Sequence, residues 1–260
     1  MTQPVTVFLR QALMLKASIA DCLKKPTPKR VHRLRSTTRR IEATLELLVL
    51  SSGISHIQKE SKPLQRSIRK LRRAAGTVRD ADVLSDLLDA YNRTPDAKRL
   101  RQDLAALRKK SEGKLITRLE QEQKKVELRL NNLEAILTPA IDLDLSGAKL
   151  INVTQNWFAE NVRGLDPQHD QDLHTLRKAS KTARYLAETG VDGSRAVANL
   201  AARYEAAQKS LGEWHDHFLL LHQAHTHLPP NSETIEQIQD DTERLHQRAD
   251  TTAGHLLSTT

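Results

Sequence analysis

A cationic helix face occurs twice in this chain, and the repetition favours a fold built from two similar halves. The first copy lies at 31–40 (VHRLRSTTRR) and the second at 173–181 (LHTLRKASK). At about 100° per residue on a helix, His32, Arg35 and Arg39 share one narrow stripe, and apolar side chains occupy the opposite side. A protein that presents the same charged stripe twice is expected to hold an anion between its two halves.

Helical periodicity runs along nearly the whole chain, and the alternation typical of strands is missing. Proline, glycine and Asp/Asn signals divide the pattern into eight predicted helices. Their approximate ranges are 4–24, 29–50, 54–92, 96–136, 147–163, 168–189, 194–227 and 232–256. The pattern predicts an all-α protein with four helices, a linker around 138–147, and four more helices. The predicted halves are 1–140 and 147–260.

A second repeated segment supports an internal duplication. Gly76 is followed four residues later by Asp80, and Gly212 by Asp216, each one helix after a cationic stripe. Two motifs that recur in the same order make chance similarity between helices a poor explanation. We expect Asp80 and Asp216 to orient the basic side chains of the repeated site.

The charge is unevenly distributed between the halves. Residues 1–140 hold 30 Lys and Arg against 15 Asp and Glu, whereas residues 141–260 hold 11 against 17, within a net charge of +9. This asymmetry indicates a polyanionic partner that contacts mainly the first half. Eight Phe, Trp and Tyr residues in 260 leave little material for stacking bases, which favours an anion without bases.

The compartment is predicted from what the sequence lacks. A single cysteine, Cys22, permits no intramolecular disulfide and fits a reducing compartment. The first 15 residues lack the apolar run of a signal peptide, and no stretch approaches the roughly 20 apolar residues of a membrane span. We expect a cytoplasmic protein with no membrane partner.

The third predicted helix carries another basic row, opposite its apolar face. The row comprises Arg66, Arg69, Lys70 and Arg73. Mutual repulsion within such a row is best tolerated when an anion neutralises it, although a solvated outer face is the alternative interpretation. His32 and His174 begin the two repeated stripes, where each side chain can donate to a phosphate oxygen.

Two other clusters suggest metal chemistry only weakly. Asp82, Asp86 and Asp89 share a helix face, but carboxylates that pair with the abundant Arg and Lys explain them better. The histidines between His215 and His227 have no counterpart in the first half. No glycine-rich phosphate loop and no GxSxG or HExxH motif is present. We therefore expect no catalytic residues, no metal and no cofactor.

At these residues the sequence resembles the CHAD family, the conserved histidine α-helical domain. The similar segments are 31–48, 71–84, 173–188 and 210–220, and with the eight-helix layout they extend over essentially the whole chain. The resemblance implies one domain, 1–260, made of two four-helix bundles related by pseudo-two-fold symmetry. It also implies a basic surface or channel between them that binds inorganic polyphosphate.

The resemblance implies a specific set of binding residues. These are His32, Arg35, Arg39, Arg40, Arg66, Arg69, Lys70, Arg73, His174, Arg177, Lys178, Lys181 and Lys209. Thr182 stands where the first copy has Arg40, and His215 where it has Arg79. We therefore expect the second half to contribute less than the first half to the path of the anion.

Our interpretation from sequence is a non-catalytic polyphosphate-binding module, with polyphosphate granules as one expected location. Three alternatives stay open. The first is a helical protein that uses the same stripes to bind the nucleic-acid backbone. The second is a polyphosphate phosphatase or kinase that would use Asp82, Asp86 and Asp89 with a metal ion. The third is a structural scaffold that docks partners on granules, which is compatible with the main interpretation.

Overall fold

A computed structural model describes residues 1–54, 56–91 and 94–258, and this part of the chain folds as an all-α protein. Eight α-helices occur within it, as predicted. They are α1 (Pro4–Lys24), α2 (Pro28–Ser51), α3 (Ile57–Leu87), α4 (Pro95–Leu137), α5 (Gly147–Val162), α6 (Asp170–Glu188), α7 (Arg195–His227) and α8 (Glu233–Ser258). Three short 3₁₀ helices lie between them, at Leu88–Tyr91, Thr138–Ala140 and Val191–Gly193.

The helix boundaries follow local chemical signals. The hydroxyls of Thr27, Thr94, Ser146 and Ser194 each accept a hydrogen bond from the backbone N–H three residues later, which caps α2, α4, α5 and α7. The third helix differs most from its prediction. It begins after His56, whose φ is +74°, and ends at Leu87 in a 3₁₀ turn. Residues 55 and 92, which the prediction included, lie outside the described residues.

The apolar faces of the helices meet in three buried clusters. One cluster joins α1, α2, α3 and α4, and a second joins α5, α6, α7 and α8 together with Ala43 and Leu47 of α2. A third cluster lies where the end of α3 and the start of α4 meet the end of α7 and the start of α8. Because α2 packs on both of the first two clusters, its charged side is held between the two sets of helices.

Contacts between the two halves of the chain position the site. Helix α2 packs against α6, and α3 packs against α7. The segment predicted as a linker is also held in place, since Thr2 and Leu145 exchange two backbone hydrogen bonds of 2.8 Å. The described helices include none that is both long enough and apolar enough to span a membrane.

Candidate functional site

A cavity of about 700 Å³ lies between α2, α3, α6 and α7; we call it the central cavity. Its ionisable lining comprises eight Lys and Arg, four His and three carboxylates. These are Arg35, Arg39, Arg40, Arg79, Arg177, Lys181, Arg184, Lys209, His32, His174, His215, His217, Asp80, Glu213 and Asp216. The excess of cations makes the central cavity suited to an anion.

The first copy of the Gly-x-x-x-Asp motif, on α3, lies against the side chain of Arg35. A Cβ added to Gly76 would lie 2.5 Å from Arg35 Nη1, so only glycine leaves room for the guanidinium at this point of α3. One turn further along α3, Asp80 Oδ1 lies 4.0 Å from Arg35 Nη2. The Gly-x-x-x-Asp spacing therefore provides both the space and the counter-charge for one arginine of the stripe. At the equivalent Gly212, no atom lies within 4 Å of an added Cβ.

The cations deepest in the central cavity are destabilised by burial and by each other. Burial, with Arg39 and Arg177 next to it, lowers the pKa of Lys181 to about 6. Burial and Arg35 likewise lower the pKa of Arg39 to about 9. The Nε atom of Arg177 is buried and has no hydrogen-bond partner within the protein. An anion entering the cavity would favour the charged form of all three side chains.

The second-copy histidine pairs with another histidine. Nδ1 of His174 and Nδ1 of His215 lie 3.3 Å apart, and their ring centroids are 4.5 Å apart. Burial, followed by Lys178 and Arg177, lowers the pKa of His174 to about 4. Burial and Arg177 lower the pKa of His215 to about 3. Both rings are therefore neutral at pH 7, and one Nδ1–H donates to the other Nδ1.

An ion-pair network joins α2 to α6 at the wall of the cavity. The Glu188 carboxylate accepts a hydrogen bond from Arg40 Nε at 3.2 Å, and its other oxygen forms an ion pair with Arg184, whose Nε lies 2.8 Å away. The same two guanidiniums lie against the ring of Tyr185, 5.5 and 5.0 Å from its centroid. Arg184 thus supplies, from α6, the guanidinium that the second copy lacks at Thr182.

A smaller cavity of about 420 Å³ adjoins the first; we call it the flanking cavity. Arg39, Lys181 and Tyr185 line both cavities. Lys178, Arg69 and Arg72 add positive charge to the flanking cavity, where Arg72 pairs with Glu42. The two cavities together form a basic region on either side of Arg39 and Lys181.

The structure brings most of the predicted binding residues together. Eight of the thirteen line the central cavity, namely His32, Arg35, Arg39, Arg40, His174, Arg177, Lys181 and Lys209. Lys178 and Arg69 line the flanking cavity. Lys70 and Arg73 instead line a separate groove between α3 and α4, and Arg66 is exposed and lines none of the three cavities. None of the four residues of the α3 row therefore lines the central cavity, because the row lies on another side of α3 and extends about 100° around it.

Sequence reasoning missed several lining residues and misjudged the balance between the halves. Arg79, Arg184, Tyr185, Gln208 and His217 also line the central cavity. Continuing the α6 stripe by one helical step beyond Lys181 would have found Arg184. With it, each half contributes four Lys or Arg to the central cavity, so the expected bias toward the first half is not seen there.

Asp82 and Asp89, two of the three acidic residues considered for metal chemistry, lie in structural ion pairs. Asp82 Oδ1 is 2.6 Å from Arg108 Nε, and Asp89 Oδ1 is 2.6 Å from Arg101 Nη2. Among the residues that the structure describes, no three His, Cys, Asp or Glu side chains cluster in a way that would hold a metal ion. Two of the three carboxylates that the phosphatase or kinase alternative requires are thus engaged with arginines.

Comparison with known proteins relates the chain to CHAD domains in sequence and in structure. The sequence profile of the CHAD domain matches residues 9–225. The crystal structure of the CHAD domain from the plant Ricinus communis superposes with a TM-score of 0.67 and 17% sequence identity, over 96% of this chain and 90% of that chain. No curated protein matches the sequence significantly. At this identity the structural match indicates a shared fold.

Proposed function

The chain belongs to the CHAD domain family, and on that premise we propose that it is a non-catalytic module that binds inorganic polyphosphate in the central cavity. Family membership suggests the ligand, and the arrangement of charges suggests where it binds. The observation that carries the proposal is the set of eight Lys and Arg, contributed by four helices, that line one cavity with only three carboxylates.

The electrostatics of the central cavity support an anionic ligand. Lys181 and Arg39 are held with pKa values of about 6 and about 9 by burial and neighbouring cations. A phosphate chain would supply the missing counter-charges, so repulsion in the free protein becomes attraction in the complex. Arginine forks form paired N–H bonds to phosphate oxygens, and lysine adds a point charge.

The shape of the basic region suits a linear polymer. The central and flanking cavities share Arg39, Lys181 and Tyr185, so we propose that the phosphate chain passes through both as a channel. Arg39 and Lys181 occupy equivalent positions of the repeat. We therefore also propose that two four-helix bundles are related by a pseudo-two-fold axis between α2 and α6.

Nucleic-acid binding is the second candidate function, and the lining favours it less. Tyr185 is the single Phe, Trp or Tyr of the central cavity, and its ring is flanked by Arg40 and Arg184. Base-stacking sites need exposed aromatic faces, so this lining suits phosphates without bases. Contacts to the backbone of a duplex depend on charge alone, and the experiment below separates them from polyphosphate binding.

We propose a binding role without turnover. Asp82 and Asp89 are paired with arginines outside the central cavity, and Asp80 and Asp216 lie among cations inside it. A module of this kind would bring the protein to polyphosphate granules. Incubation with polyphosphate and Mg²⁺ tests the point, because released phosphate would support the enzymatic alternative.

The deciding experiment measures the affinity for long-chain polyphosphate in competition with single-stranded RNA and duplex DNA at equal phosphate concentration. The salt should be near physiological, because polyanion binding weakens steeply as salt rises. The variant Arg35→Ala/Arg39→Ala tests the central cavity. The matched control is Arg10→Ala/Arg195→Ala, which removes the same charge from exposed positions that line none of the three cavities.

We expect polyphosphate to remain bound in the presence of excess nucleic acid. We also expect the central variant to lose about 10-fold or more in affinity while the control changes little, since each buried charged contact is worth about 1.5–3 kcal/mol. Equal competition by RNA or DNA would favour the nucleic-acid alternative. Equal loss in the two variants would mean that net charge, and not the central cavity, determines binding.

A further inference from the structure

The groove between α3 and α4 is a second basic region of about 830 Å³. It shares no lining residue with the central or flanking cavity. Five of the twelve lining residues are Lys or Arg, and no carboxylate is among them. The lining comprises Lys70, Arg73, Ala74, Thr77, Leu107, Lys110, Ser111, Gly113, Lys114, Thr117, Arg118 and Gln121.

The positive charge of this groove is largely uncompensated. Lys70 Nζ lies 3.1 Å from Glu122 Oε1. Within the described residues, no ion pair of 4 Å or less is formed by the other four cations, which are Arg73, Lys110, Lys114 and Arg118. A concave surface with four unpaired cations attracts polyanions more strongly than a flat one, because its walls focus the field.

A glycine in the wall of the groove has no packing role within the chain. Gly113 lies inside the 43-residue helix α4, and no atom lies within 4 Å of an added Cβ. Glycine in a helix interior is destabilising relative to alanine, and no close neighbour within the protein accounts for its presence here. The missing side chain widens the groove between Lys110 and Lys114, where it lets a ligand approach the helix backbone.

The cations along α4 form a regular row. Lys110, Lys114 and Arg118 follow one another at intervals of four residues, which corresponds to about 6 Å along a helix. No Phe, Tyr or Trp lines the groove, so it offers no platform for stacking bases. A row of charges without aromatics matches a linear chain of phosphates.

The basic row on α3 connects this groove to the flanking cavity. At about 100° per residue, Arg73, Arg66 and Lys70 lie about 40°, 60° and 100° around α3 from Arg69. Arg69 lines the flanking cavity, whereas Lys70 and Arg73 line the groove. Arg66, which is exposed, lies between Arg73 and Lys70 in direction around the helix. The four side chains thus form a continuous cationic band over the outer face of α3.

We propose that the α3–α4 groove is a second binding segment for the same polyphosphate chain, which leaves the flanking cavity over α3 and continues along α4. This inference rests on the proposed function, because it assumes that the chain enters through the central cavity. A short phosphate chain fits within the central cavity alone. A long chain occupies both segments and gains affinity through the high effective concentration of its second part.

The test compares tripolyphosphate with long-chain polyphosphate at near-physiological salt. The groove variant is Lys110→Ala/Lys114→Ala/Arg118→Ala. Its matched control, Lys98→Ala/Arg99→Ala/Lys109→Ala, removes the same charges from exposed positions of α4 outside the groove. Circular dichroism confirms that both variants fold. We expect the groove variant to bind tripolyphosphate as the wild type does and to lose about 10-fold in affinity for the long chain, while the control retains both affinities.

Two results would overturn the inference while leaving the proposed function intact. One is a groove variant that binds long chains as tightly as the control does. The other is a groove variant that loses both ligands to the same extent. If the wild-type protein binds neither ligand, the proposed function fails, and the inference fails with it.

Discussion

Arg35 of α2 lies directly above Gly76 of α3, with Nη1 at 2.5 Å from the position that a Cβ on Gly76 would occupy. The two residues come from different repeated motifs, the cationic stripe and the Gly-x-x-x-Asp segment. Their contact explains why the motifs occur together in the first half, whereas Gly212 has no such neighbour in the second half. The glycine admits the guanidinium, and Asp80 faces it at 4.0 Å.

Replacing Gly76 with alanine is expected to lower the affinity for polyphosphate while it raises the stability of the fold. The new methyl group displaces the flexible end of Arg35, so affinity for polyphosphate falls several-fold. The helix itself gains roughly 0.5–1 kcal/mol from the better propensity of alanine. Thermal unfolding and polyphosphate binding measure the two effects.

The matched control for that change is Gly254→Ala in α8, where no atom lies within 4 Å of an added Cβ. It carries the same gain in propensity and should leave binding unchanged. Retention of full affinity in Gly76→Ala would show that the position of Arg35 over α3 does not matter for the ligand.

Polyphosphate binding is expected to take up a proton at pH 7. Lys181, with a pKa of about 6, is mostly neutral in the free protein. Arg39, Arg177, Arg35 and Asp216 surround it, and a bound anion shifts the balance toward the charged form. Affinity should therefore rise as pH falls from 8 to 6, by up to ~10-fold per pH unit while one proton is taken up.

Calorimetry in buffers with different ionisation enthalpies measures this proton uptake directly. The variant Lys181→Met removes the titrating group and should lower the uptake, whereas titration of the polymer itself is common to both proteins. Equal uptake in the two proteins would assign the proton to another group, such as His174 or His215.

The same lysine is expected to reduce the stability of the free protein. Its pKa in the folded state, about 6, lies below its ordinary value of 10.5, so the unfolded chain binds the proton more tightly. The destabilisation is absent above pH ~10.5, grows as pH falls toward 6, and is constant below it. Lys181→Met should raise the thermal midpoint at pH 7, by about 2–4 °C for each kcal/mol recovered.

Thermal unfolding of the wild type and Lys181→Met between pH 6 and 10.5 tests this prediction without any ligand. The difference between the two midpoints should shrink as pH rises. A difference that stays constant with pH would point to better packing of methionine, and a lower midpoint for the variant would contradict the electrostatic explanation.

The sequence was sufficient to predict the eight helices because their ends carry strong local signals, such as Thr27-Pro28 before α2. It also predicted the two cationic stripes that begin at His32 and His174, because the residues that share one face of a helix follow from the period of 3.6 residues alone. It did not predict which cavity each α3 cation would face. That depends on α3 packing against both α2 and α4, which divides Arg69 from Lys70 and Arg73.

Neutralising Glu188 is expected to tighten binding and weaken the fold. This carboxylate engages Arg40 and Arg184 at the wall of the central cavity, at 3.2 and 2.8 Å. It therefore competes with a phosphate chain for two guanidiniums and also repels the chain. Glu188→Gln should raise the affinity about 5-fold, corresponding to ~1 kcal/mol. The thermal midpoint of the free protein should fall by about 2–4 °C, because α2 and α6 lose a charged bridge.

Glu120→Gln, at an exposed position of α4 without an ion pair within 4 Å among the described residues, is the control for net charge. If both variants bind more tightly by the same factor, the gain comes from overall charge and not from release of the arginines. Weaker binding by Glu188→Gln would show the opposite role for this carboxylate. It would mean that Glu188 holds Arg40 and Arg184 in the orientation that the phosphate chain requires.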